Sequence, residues 1–218
     1  MTSLISDYIA NPNDDKFILH TNSPYYGTID IWNVSQITDM SGVFMDTSFN
    51  EFINKWDTSN VTTMANMFKN NTVYNIQWDT SSVIDMSSMF EGATSMNSDI
   101  SFNCSSVTDM SSMFEGATSI NSSITLNNST NLTNISQMFK GATSFNGSIY
   151  INTSSVTNLS NTFESASAFN QDIGSWNTSN VTDMSGTFLN ATVFNQNIGT
   201  WNTLSLIHIS EPTRQLCI

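Results

Sequence analysis

Apolar side chains return along this chain at a fixed step. Trp32, Trp56, Trp78, Phe102, Leu126, Ile151, Trp176 and Trp201 are separated by 24, 22, 24, 24, 25, 25 and 25 residues. A second column holds Ile37, Val61, Val83, Val107, Leu132, Val156 and Val181. A third holds Met40, Met64, Met86, Met110, Ile135, Leu159 and Met184, and a fourth Phe44, Phe68, Phe90, Phe114, Phe139, Phe163 and Phe188. One unit of this size cannot bury such side chains by itself, whereas stacked units bury them against one another. The pattern predicts a repeat solenoid of seven 22- to 25-residue coils.

Polar columns predict the local shape of each coil. Asp39, Thr63, Asp85, Asp109, Asn134, Asn158 and Asp183 precede the Met column and are types that cap helix N-termini. The four-residue step from Met to Phe fits one helical or 3-10 turn. Two residues later, Asp46, Asn70, Gly92, Gly116, Gly141, Ser165 and Asn190 are mostly types that tolerate the left-handed conformation ending a helix. Asparagine fills a further column at Asn50, Asn75, Asn97, Asn121, Asn146, Asn170 and Asn195, where stacked amides would form a hydrogen-bonded ladder. Residues 98–102 (SDISF), 122–126 (SSITL) and 147–151 (GSIYI) alternate apolar and polar side chains as half-buried strands do. Parallel stacking of such strands would advance ~4.8 Å per coil.

Three regions follow. Residues 1–28 read as an N-terminal cap, with Leu4, Ile5, Tyr8 and Ile9 on one helical face and Asn11-Pro12 stopping it. Residues 29–203 hold the seven repeats and the start of an eighth. Residues 204–218 break the register and contain Arg214, His208 and Cys217; they resemble a translated sequencing-adapter read-through and are expected to be a non-native tail.

Charge narrows the partners. Five Lys+Arg against 18 Asp+Glu give a net charge of −13, which repels phosphate backbones and anionic lipid, so nucleic acid is not an expected partner. No stretch is long enough for direct membrane insertion. Residues 1–10 carry Asp7 and no basic side chain, unlike a secretory leader, so localisation is not given by the sequence. Cys104 and Cys217 imply no disulfide framework.

Candidate chemistry is sparse. A calcium ladder along the Asp column competes with capping, but Thr63, Asn134 and Asn158 interrupt the first role and not the second. His20 is the one histidine outside the tail, and Cys104 reads as a small core thiol. Acidic residues follow the repeat, whereas an active site should be a local exception; no enzyme, metal or cofactor is expected. A threonine column at Thr58, Thr80, Thr153 and Thr178 suggests an ice-binding array, but Val34 and Cys104 interrupt it.

Residues 176–198 (WNTSNVTDMSGTFLNATVFNQNI) and their near-copies resemble the repeat of BspA-like leucine-rich-repeat surface proteins of bacteria. Residues 107–120 (VTDMSSMFEGATSI) are similar to that unit, with Ala117 where Cys often stands. The resemblance implies a leucine-rich-repeat-like solenoid with one short parallel strand and one short helical or 3-10 turn per coil. It also implies surface display, protein binding or adhesion, and a fragment of a longer protein. The expected partner is a protein ligand, an extracellular matrix component or a host-surface component. The alternative is a purely structural solenoid, with end-to-end self-association through an uncapped C-terminal coil. Partner binding is expected on the strand face, at Asp99, Ser101, Ser123, Thr125, Ser148, Tyr150 and Asp172.

Overall fold

The computed structural model describes residues 29–71 and 76–206. The expected N-terminal cap and residues 207–218 of the expected tail lie outside them. Regular secondary structure is sparse: a 3-10 helix at Ile29–Ile31 and strands β1 (Ile100–Asn103), β2 (Ile124–Asn127) and β3 (Ile149–Tyr150). The strands form an open parallel sheet in the order β1-β2-β3, with Ile100 opposite Ile124 and Ile124 opposite Ile149. This corrects the expected fold class. In place of a leucine-rich-repeat-like solenoid with a strand and a helical turn in every coil, the described chain has one three-stranded open sheet and almost no helix.

The strands form where an isoleucine and the next large apolar residue stand two apart, although Ile76 and Trp78 share that spacing and form no strand. In β1 and β2, Ile100-Ser-Phe102 and Ile124-Thr-Leu126 alternate inward and outward, as a half-buried strand requires. Four tryptophans instead stand three residues after their isoleucine, and the extra residue breaks the alternation. Their backbones close tight turns: Trp32, Trp56, Trp176 and Trp201 N–H donate to Ile29, Ile53, Ile173 and Ile198 carbonyls at 3.3, 3.2, 3.1 and 3.0 Å. Indole Nε1 then ties units together, from Trp56 to Ile29 O at 2.7 Å and from Trp78 to Ile53 O at 3.0 Å.

The expected helical turns fail for a different reason. Cap chemistry is present: Asp39, Asp85, Asp109 and Asp183 Oδ1 accept the N–H two residues on at 2.8, 2.8, 2.7 and 2.8 Å. One residue further, however, Gly42, Asn66, Ser88, Ser112, Gln137, Asn161 and Gly186 all have φ between 55° and 63°. A right-handed helix cannot pass through that conformation, whereas a type II turn needs it at its third position. A run of linked turns results, closed for example by Met67 N–H to Met64 O at 3.1 Å, Lys69 N–H to Asn66 O at 3.1 Å and Asn71 N–H to Phe68 O at 3.0 Å.

Backbone donors freed from a helix point to the following unit. Met110, Ser112, Phe114 and Gly116 N–H donate to Asn134, Ser136, Met138 and Lys140 carbonyls at 2.9, 2.9, 2.8 and 2.7 Å. The Asp column pairs in parallel alongside, from Asp39 through Thr63, Asp85, Asp109, Asn134 and Asn158 to Asp183. Asparagine side chains add a second ladder: Asn97, Asn121, Asn146 and Asn170 Oδ1 accept the N–H of the next asparagine in the column at 2.9, 2.8, 2.9 and 2.9 Å. Between these ladders runs the core, a stack of parallel rings from Phe44 to Phe188 with centroids 5.3 to 5.7 Å apart.

Candidate binding surface

The sheet turns Ile100, Phe102, Ile124 and Leu126 into the core and leaves its other face open. Parallel register sets Ser101 beside Thr125 and Thr125 beside Tyr150 on that face. Ser101 is exposed, Thr125 half-buried, and the Tyr150 ring 60% exposed. Just before the strands, Asp99 is exposed while Ser123 and Ser148 are half-buried. Asp99 Oδ1 accepts the Ser123 N–H at 2.9 Å, and Asn127 Nδ2 donates to Ser101 Oγ at 3.4 Å. Six of the expected residues therefore share one surface. Asp172 is exposed in the next unit, beyond β3, with its Oδ1 accepting the Gly174 N–H at 2.9 Å.

A cleft of about 480 Å³ opens at the β1 edge, lined by Ile76, Gln77, Ser98, Asp99 and Ser101. It coincides with a difference in chain length. Asn75 precedes Trp78 by three residues, whereas Asn97 precedes Phe102 by five, so two residues of the later unit have no counterpart before them. The sequence reading missed Ile76, Gln77 and Ser98 as surface-lining residues. The interval of 22 residues between Trp56 and Trp78, the shortest in the series, was the available signal.

Other candidates resolve differently. Thr58, Thr80, Thr153 and Thr178 are buried, and Thr58 and Thr80 Oγ1 donate to Asp79 and Asn103 carbonyls at 2.8 and 2.9 Å. They form an internal ladder and present no array to ice. Cys104 is buried, and desolvation pushes its thiol up to about 12. Asp57 and Asp79 are held below the usual carboxylate range by hydrogen bonds from Ser59 and Ser81, hydroxyl first and backbone N–H second. Among the described residues no group of three or more His, Cys, Asp or Glu could hold a metal ion. No helix among them is long and apolar enough to cross a membrane.

A family model described as "Mycoplasma protein of unknown function, DUF285" matches the chain three times, over residues 16–125, 75–151 and 123–213. No curated protein and no solved structure matches it.

Proposed function

Starting from the chain's membership of the DUF285 family of Mycoplasma proteins of unknown function, we propose that it is a noncatalytic protein-binding module that engages its partner through the open sheet face. The observation that carries this reading is Tyr150: a ring 60% exposed, on a fixed strand, in register with Thr125. Tyrosines so presented are enriched among the few side chains that dominate binding energy, because a rigid ring brings much contact area at little entropic cost. The polar neighbours Ser101, Thr125 and Ser148 suit the rim of such a contact. The resemblance of the repeats to BspA-like surface proteins supports adhesion as the setting.

Capture from host-cell and matrix extracts, followed by surface plasmon resonance with the purified partner, tests the reading. Tyr150→Ala should weaken binding by about 2 kcal/mol, roughly 30-fold. Asp172→Asn should weaken it less and flatten its salt dependence, since a surface charge acts through a screened field. If neither change alters affinity while substitutions at Thr38 and Thr62, exposed residues that directly precede Asp39 and Thr63 of the Asp column, abolish it, the partner binds elsewhere.

A further inference from the structure

The cleft beside β1 has a chemistry of its own. β1 is an edge strand of the sheet, and its pairing fixes which backbone groups face which way. Ile100 N–H donates to Ser123 O at 3.0 Å and Cys104 N–H to Asn127 O at 2.7 Å, so Ile100, Phe102 and Cys104 face β2. The intervening residues must face the other side. Asn103 does so, with its N–H on Thr80 Oγ1 at 2.9 Å and its carbonyl accepting from the same hydroxyl at 2.9 Å. That reciprocal pair closes one end of the cleft. Toward the other end, the N–H and C=O of Ser101 turn toward the opening lined by Ile76 and Gln77.

Three features meet there. An unpaired strand edge is a template for another extended segment. The volume, about 480 Å³, suits a specific ligand segment. Asp99 is exposed at the mouth, with Oδ1 on the Ser123 N–H and no Lys or Arg paired with it among the described residues, where the ion pairs engage Asp30, Glu91, Glu115 and Glu164.

We propose that this cleft takes an extended peptide segment of the partner protein, paired backbone-to-backbone with β1 at Ser101, with a lysine or arginine of that segment on Asp99. The inference rests on reading this side of the sheet as a protein-binding surface. Charge selects the occupant: a basic segment answers Asp99 and the net charge of −13, and an acidic one is repelled. Main-chain bonds would carry affinity, and alternate side chains the specificity.

The test uses the full chain and the labelled hexapeptide VKVTVK, with VEVTVE and a fully N-methylated VKVTVK as controls. VKVTVK should bind saturably and shift the backbone NMR resonances of residues 98–101. Asp99→Asn should weaken it about fivefold. N-methylation, which removes every backbone donor, should weaken it about tenfold or more, and VEVTVE should not bind. Absence of VKVTVK binding at about 1 mM overturns the proposal. So does binding that N-methylation leaves unchanged, or shifts at Tyr150 without shifts at Ser101. Loss of the peptide with a Tyr150-dependent partner retained sinks the cleft alone, and the converse sinks the sheet face alone.

Discussion

Asp109 accepts the Ser111 N–H at 2.7 Å and receives Asn134 Nδ2 on both carboxylate oxygens at 3.2 and 3.1 Å. Its work is to satisfy backbone and amide donors, and any side chain with an oxygen at that point does much of it. Asn134 and Asn158 do so in their own units, accepting the Ser136 and Ser160 N–H at 3.1 and 2.9 Å. Asp109→Asn should therefore be nearly neutral, whereas Asp109→Ala should cost about 1 kcal/mol, the net worth of one lost hydrogen bond. Urea denaturation of both variants checks this, and equal losses would mean that charge, not the acceptor, matters. This acceptor role was legible in the sequence, because Asp, Asn and Thr share one column and one chemistry. The left-handed residue that follows was not. Glycine marks it at Gly42 and Gly186, but Ser88, Ser112 and Gln137 take the same φ of 55° to 59° without any residue-type signal. Bonds to the neighbouring unit hold them there, so the cause lies in packing and not in propensity.

At the scale of the element, alternation and spacing divide the work. The segments 98–102, 122–126 and 147–151 stood out by alternation, and β1, β2 and β3 lie on them. Extending that expectation to every unit fails at Trp32, Trp56, Trp176 and Trp201, where one more residue after isoleucine goes with a turn in place of a strand, and at Trp78, where the spacing holds but no strand forms. The cleft was not legible either, since the shortened unit beside it reads in sequence as mere variation in period. Close stacking makes one further position critical. Gly147, just before β3, is buried, and a Cβ there would run into the Ser122 carbonyl. Gly147→Ala should thus force the strands apart at their start and destabilise by about 1–3 kcal/mol, the usual cost of overpacking. Denaturant unfolding measures it; a loss within about 0.5 kcal/mol, the range of surface changes, would show that β3 shifts without cost.

At the scale of the molecule, the ring stack runs through all seven described units, as the Asp column does. Phe114 sits within it, fully buried, 5.6 Å from the Phe90 centroid and 5.4 Å from that of Phe139. Phe114→Ala removes partners from both neighbours and leaves a cavity, so a loss of about 3–5 kcal/mol is expected by urea or thermal denaturation. Its column was readable from the sequence because Phe occupies every copy; the face-parallel ring geometry follows from stacking like on like, which residue type alone does not announce.

Four of the backbone bonds between one unit and the next, those like the bonds from Met110, Ser112, Phe114 and Gly116, recur along the described chain with little change. A chain held in this way and pulled from its two ends would not have to give way all at once. It can pay out unit by unit, each 24-residue length adding about 80 Å of extended chain while the remainder keeps its shape. Under load such a chain would lengthen in steps and leave the sheet face intact until its own units are reached.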